Sequence, residues 1–373
     1  MKKIIILLLI VPFIALSQNQ KYPGSPNPVF TVFLIGDAGK DTLPGNALKL
    51  LGEKIRRYPN SAVVFLGDNV YPRGIEINGG DTRKSLSQKK MMSQLNLFKQ
   101  YPGKVYMVPG NHDWKNGRWG GAKNVIAEAE FTNSYLKKNS EIENKNSGVF
   151  FPVQALPGPV SIELFAGQYA AKPVRLILID TQWFLQKQFF HKVGKLPGLT
   201  KKETEQKFFI RLDSMLNAAS QKGEHVLIAA HHPIFSNGHH SKQQQPWRWF
   251  TNIGVFQPFG ILGGNRLWVQ NLNQPRYKKL REQLLAICEK YPGIIYVSGH
   301  EHNLQYFTIS KNNFIVSGSG SSITPKEKQT INPLFENYDQ HGFFSLSFFY
   351  DDSIILETWG ADKKTRLFDW QIK

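Results

Sequence analysis

Along the chain, short unbroken apolar runs alternate with longer stretches whose apolar residues recur at helical spacing. Val29–Ile35 is apolar except for Thr31, and Ser61–Leu66 and Lys104–Val108 repeat the pattern. Runs without polar alternation read as strands covered on both faces. Between the first two lies Asn46–Arg57, with Ala47, Leu48, Leu51 and Ile55 on one helical face; Arg83–Tyr101 follows the second, aligning Met92, Leu95 and Phe98. Further on, Asn124–Leu136 reads as helix, Val160–Phe165 and Val174–Ile179 as a strand pair, and Lys201–Ser220 as a charged amphipathic helix. His225–Ala230 is another buried strand, and the helix Pro275–Tyr291 leads into the apolar run Ile294–Val297. Phe314–Val316, Phe343–Tyr350 and Ile354–Trp359 supply the closing strands. Strand–helix alternation with no repeat and no linker predicts one layered α/β domain with mixed sheets, over residues 29–360. Ser241–Gln274 breaks the rhythm: it has few charges, is rich in Trp, Phe, Gly and Asn, and lacks a period. It reads as an inserted loop or lid.

Composition narrows the class. Hydrophobic residues at 41% and aromatics at 13% of 373 residues can build a sizeable core, which excludes disorder on the scale of the chain. Lys2-Lys3, the apolar Ile4–Leu16 and the small-x-small Ala15-Leu16-Ser17 form a signal peptide over residues 1–17. The apolar run is short for a spanning helix and contains Pro12, and no Cys follows it to carry a lipid. The expectation is an exported protein without a membrane anchor, periplasmic or extracellular. Cys288 is the single cysteine, so no disulfide forms within the chain, and its helical setting predicts a buried, inert thiol. The net charge of +18 is spread over loops and helix faces, which suits a phosphate-bearing small-molecule substrate. Without an aromatic-plus-basic motif, no specific nucleic acid is indicated, nor is an obligate protein partner.

The chemistry collects where the strands stop. Val29–Ile35 runs into Gly36-Asp37-Ala38-Gly39, and Ser61–Leu66 into Gly67-Asp68-Asn69-Val70-Tyr71. Lys104–Val108 is followed by Pro109-Gly110-Asn111-His112-Asp113, His225–Ala230 by His231-His232-Pro233, and Ile294–Val297 by Gly299-His300-Glu301-His302. Each block alone is an ordinary turn, since Gly-Asp, Asn-His and His-Pro are common at strand exits. Five of them in one chain, each after an apolar strand, point to convergence at the carboxyl ends of a sheet. Carboxylates, an amide oxygen and imidazoles together suit two adjacent ions of Fe, Mn or Zn, with one carboxylate between them. No Ser or Cys nucleophile is then needed.

Taken together, the five blocks resemble the calcineurin-like metallophosphoesterases over Val29 to about Ser322. Tyr71 marks the purple acid phosphatase branch, and the blocks around His231 and Gly299–Tyr306 are similar to its small tartrate-resistant members. The resemblance implies a four-layer αββα sandwich of two mixed sheets flanked by helices. It makes Asp37, Asp68, Tyr71 and His302 ligands of Fe(III), and Asp68, Asn111, His231 and His300 ligands of a divalent Fe, Zn or Mn ion, with Asp68 bridging. His112 and His240 would bind the phosphate or protonate the leaving group, with His239 a close competitor for the place of His240; Asn69 would order its turn. The implied activity is hydrolysis of phosphate monoesters by hydroxide generated at the metals. Phosphodiesterase or nucleotidase activity at the same site is the alternative, and a non-catalytic binding module on the scaffold a further one. Two features depart from the small enzymes or stand outside the motifs. Trp247, Trp249 and Phe250 in the inserted segment either stack on a leaving group or collapse on one another, and Ser317–Ser322 reads as a structural turn rather than a phosphate cradle.

Overall fold

A computed structural model describes residues 27–77, 80–139, 149–186, 194–241, 272–326 and 331–372. The apolar runs pair into two sheets. In the first, β1 (Phe30–Ile35), β2 (Ser61–Phe65) and β3 (Lys104–Met107) are parallel, and β11 (Gly342–Phe348), β12 (Ile354–Gly360) and β13 (Thr365–Ile372) extend it antiparallel from β1. The second runs in the order β10-β8-β9-β7-β6-β5-β4: Phe335–Asn337, Leu304–Ile309, Asn312–Ser317, Ile295–Ser298, His225–Ala229, Val174–Leu178 and Val160–Phe165. Its inner strands β5, β6, β7 and β9 are parallel.

Side chains of β1 and β2 divide by the two-residue period of a strand. Val32, Leu34, Val64 and Leu66 join Leu227, Val297, Ile315 and Leu346 in a core between the sheets. Phe33, Ile35, Val63 and Phe65 fall in the other core, with α1 (Asn46–Arg57) supplying Leu48, Leu51 and Ile55. The same core takes Met91 and Leu95 of α2 (Gly80–Leu95), Val125 and Leu136 of α3 (Gly121–Asn139), and Trp183 and Leu185 of α4 (Thr181–Leu185). Phe208 and Leu212 of α5 (Lys201–Gln221) and Leu280 and Leu284 of α6 (Pro275–Cys288) complete it. The result is two mixed sheets flanked by helices. α5 opens with a capping box between Thr200 and Glu203, which satisfies two N–H groups of its first turn.

Several boundaries differ from the sequence reading. α2 ends at Leu95 because the chain tightens into a 3-10 turn over Asn96–Phe98. α6 stops at Cys288, whose carbonyl accepts Asn312 Nδ2 at 2.9 Å. Three strands had no sequence signal strong enough to assign. β8 and β10 are interrupted by Gln305, Glu336 and Asn337, while β13 is an outer strand exposed over much of its length, so neither alternation nor an apolar run marks it. The first sheet therefore runs past residue 360. Cys288 is buried, and burial pushes its thiol up to about 12. No helix among the described residues is long and apolar enough to cross a membrane. The leader over residues 1–17 lies outside them, as do Trp247, Trp249, Phe250 and nearly all of the 241–274 segment.

Candidate metal centre

Parallel strands of both sheets end on one edge of the sandwich, and there the sheets touch. Gly36 N–H donates to Ser317 O at 2.7 Å across the gap, and Gly320 N–H returns to Gly36 O at 3.1 Å. A Cβ on Gly36 would stand 3.0 Å from Gly299 Cα, so any side chain there would press the two loops apart by a few tenths of an ångström. Asp37, Asp68 and His300 carry left-handed backbones, with φ of 57°, 54° and 70°. Such conformations cost about 1–3 kcal/mol each and persist only where the surroundings hold them. Asp37 Oδ2 accepts the His300 N–H at 2.8 Å, and Asp68 Oδ1 accepts the His112 N–H at 2.8 Å. Each strained turn is thus tied to the loop that faces it.

The predicted ligand atoms fall into two groups. Tyr71 Oη lies 2.8 Å from Asp37 Oδ1 and 3.1 Å from His302 Nε2, and His302 Nε2 is 3.6 Å from Asp37 Oδ1. In the second group Asn111 Oδ1 is 2.9 Å from both His231 Nε2 and His300 Nδ1, which are 3.2 Å from each other. Asp68 stands between them: Oδ1 is 3.4 Å from His231 Nε2, and its carboxylate also meets the Tyr71 hydroxyl. Two donors each about 2.1 Å from one ion lie about 3–3.4 Å apart, so both groups have the spacing of ligands around a cation.

The electrostatics ask for positive charge. Asp37 and Asp68 are buried, and their ion-pair partners among the described residues are the histidines 112, 231 and 302. Burial would raise the Asp68 carboxyl, but His231 and His112 outweigh it and hold the group below its ordinary value. Burial likewise depresses His231 and His302, yet the facing carboxylates, Asp68 for the first and Asp37 for the second, raise both above ordinary imidazole. Tyr71 is driven far up by burial and by Asp37 and Asp68. His231, His302 and Tyr71 thus hold their protons firmly on atoms that would bind metal. The donor set and its charge fit two ions.

All nine predicted site residues are on this edge. His112 directs Nδ1 to Pro72 O at 2.8 Å and has Nε2 3.8 Å from Asp68 Oδ2. His240 lies over His300 with ring centroids 4.5 Å apart, while the His239 ring stands 5.5 Å from that of His240. Asn69 orders its turn, giving Nδ2 to Val108 O at 2.9 Å. In Ser317–Ser322, Ser317, Ser319 and Ser321 spend their hydroxyls on the carbonyls of Leu34, Gln340 and Asp37, which makes the segment a structural turn.

Residues outside the sequence assignment support the ligands. Asp113 accepts the N–H groups of Gly110, Asn69 and Val70 at 2.7, 3.2 and 3.0 Å, stapling the β2 and β3 loops together. Glu301, buried between the two ligand histidines, accepts the His240 N–H at 3.0 Å. His232 packs on His300 and is held by Thr181 Oγ1 at 2.8 Å; among the described residues its Nε2 has no hydrogen-bond partner, and burial holds the ring neutral. With His231 and His300 it forms a further close imidazole group. Asp113 and Glu301 belong to the motif blocks but offer no ligand spacing, and only the folded contacts expose their part.

Fold and site define a class of protein, and comparison with known proteins identifies it. The Calcineurin-like phosphoesterase family signature matches residues 30–304. The chain belongs to that family and is a metal-dependent phosphoester hydrolase. Purple acid phosphatase 17 of Arabidopsis thaliana is 24% identical over 94% of this chain and 88% of the relative, in keeping with the branch marked by Tyr71. Among solved structures, GAP50, the anchor in the inner membrane complex of Plasmodium, superposes with TM-score 0.57 at 15% identity, covering 92% of this chain and 88% of that one. A dimetal phosphatase from Danio rerio gives TM-score 0.51 at 14% identity, covering 93% and 99%. Both likenesses show the fold.

Proposed function

We propose that the chain is an exported phosphatase of the purple acid type, in which Fe(III) and a divalent Fe, Zn or Mn ion serve hydrolysis of small-molecule phosphate monoesters. The observation that carries this reading is the pair of ligand groups joined through Asp68. Two cations so held would lower the pKa of a water toward neutrality and offset the charge that develops on a phosphoryl group. The protein's own part is to aim protons and dipoles. Pro72 O takes the Nδ1–H of His112, which leaves Nε2 toward the site; protonated there as the imidazolium, the ring would give that proton to the departing alkoxide and return to neutral imidazole. Burial and then His302 push His240 down to about 3, so before substrate arrives it is a neutral imidazole suited to accept or orient. We assign donation to His112 and phosphate positioning to His240.

Metal analysis and visible spectra of three variants test the assignment. Asp68→Ala should lose both ions and phosphate release, whereas Asp37→Ala should weaken mainly the ferric site. Tyr71→Phe should bleach a violet iron-loaded protein, because phenolate-to-iron charge transfer would be gone. An Asp68→Ala protein that keeps two ions and near-normal turnover refutes the bridging role, and a colourless iron-loaded wild type refutes the ferric phenolate. Rates on an aryl monoester and its diester decide between phosphomonoesterase and phosphodiesterase. The likeness to the GAP50 anchor recommends a binding module as the second reading; a complete ligand set on this chain weighs against it.

A further inference from the structure

Asn111 is useful to a cation only through its oxygen, yet its side chain ends in an oxygen and an amino group of nearly equal size. Turned over, it would present N–H groups to the ion. In the structure Asn111 Nδ2 donates to Asn116 Oδ1 at 3.2 Å, which leaves Oδ1 toward His231 and His300. Asn116 is itself an amide and needs its own reference. Its Nδ2 donates to Pro72 O at 3.1 Å, and a backbone carbonyl cannot exchange acceptor for donor. Pro72 O also takes His112 Nδ1. Polarity is therefore passed from one fixed carbonyl through Asn116 to Asn111, and the same carbonyl anchors the His112 ring.

Backbone geometry brings Asn116 to this place. Lys115, Asn116 and Gly117 are left-handed in succession, with φ of 56°, 53° and 71°, and Asn116 N–H closes on Asn111 O at 2.7 Å. The residue is 6% exposed. Asparagine tolerates such a backbone better than most residues, so conformation alone could explain its presence. The two hydrogen bonds give the position a second task.

We propose that Asn116 is a positioning residue that fixes the Asn111 amide toward the divalent ion and, through Pro72 O, the His112 ring. This rests on the two-ion reading above. The test is competition of Zn2+ alone against a chromogenic chelator, for the wild type, Asn116→Gly and Asn116→Asp. Glycine keeps the left-handed backbone and removes both hydrogen bonds; aspartate keeps an acceptor for Asn111 Nδ2. Loss of a residue that orients a ligand typically weakens the ion by about 10–100-fold. We expect that loss at one of two Zn2+ sites in Asn116→Gly, little change at the other, and recovery of most of it in Asn116→Asp. Equal weakening of both sites, no weakening, or an aspartate that behaves like glycine overturns the proposal. If the glycine variant does not fold, Asn116→Ser, shorter by one atom, carries the same comparison. A wild type that binds fewer than two Zn2+ ions overturns the two-ion reading and this inference together; a wild type that binds two, with unaffected variants, overturns the inference alone.

Discussion

At the scale of single residues, the ligands are recognisable by type and their readiness is set by neighbours. His231 and His302 hold their protons to higher pH than free imidazole because Asp68 and Asp37 face them, and burial and the same carboxylates keep Tyr71 protonated. An incoming ion must displace those protons, so binding weakens as pH falls through the raised imidazole range and strengthens as pH rises. Zn2+ should therefore bind more tightly at pH 8 than at pH 6 and release more protons per ion at the lower pH. Calorimetry in buffers of different ionisation enthalpy measures both; affinity independent of pH across this range would remove the facing carboxylates from the mechanism. The candidate ligands are legible because each lies in a loop that opens directly after an apolar strand. Asp113, Asn116, Glu301 and His232 are not, since each also depends on a residue of another loop: Asp113 meets Asn69 and Val70 of the β2 loop, Asn116 meets Pro72, His240 donates to Glu301, and His232 meets Thr181 after β5.

At the scale of elements, strands buried on both faces were readable because burial removes polar alternation, as in β1 and β2. α4 was missed because five residues cannot show a helical period, and its start is set by a contact. Asp180 accepts Trp183 N–H at 3.1 Å and Trp114 Nε1–H at 2.7 Å, so one carboxyl caps α4 and clasps the β3 loop to the end of β5. Burial pushes this carboxyl up to about 7, although Trp114 and Trp183 pull the other way. Between about pH 4 and pH 7 the unfolded chain has lost a proton that the folded chain keeps. This residue therefore withdraws stability as pH rises through that window, by up to about 1.4 kcal/mol per pH unit, and the penalty is constant above it. Asp180→Asn removes the titration while adding a cost that does not vary with pH. Urea denaturation of the metal-free protein should show the variant at its worst relative to wild type near pH 4.5 and gaining toward pH 7. A constant difference would mean that the folded carboxyl titrates normally.

At the scale of the whole molecule, two sheets meeting along one edge turn five separated loops into one site, and that convergence is the step no single motif contains. The chain carries a net charge of +18, which favours capture of phosphorylated substrates at low ionic strength. The central claim is that the site works with two ions. Its most direct measurement is phosphate release from an aryl monoester by the metal-stripped protein, followed as iron, zinc or manganese is added in counted equivalents. Activity should be absent without metal, rise on addition and level off at two equivalents per chain for a metal or metal pair that supports turnover. Saturation at one equivalent, or full activity in the stripped protein, would contradict a two-ion centre.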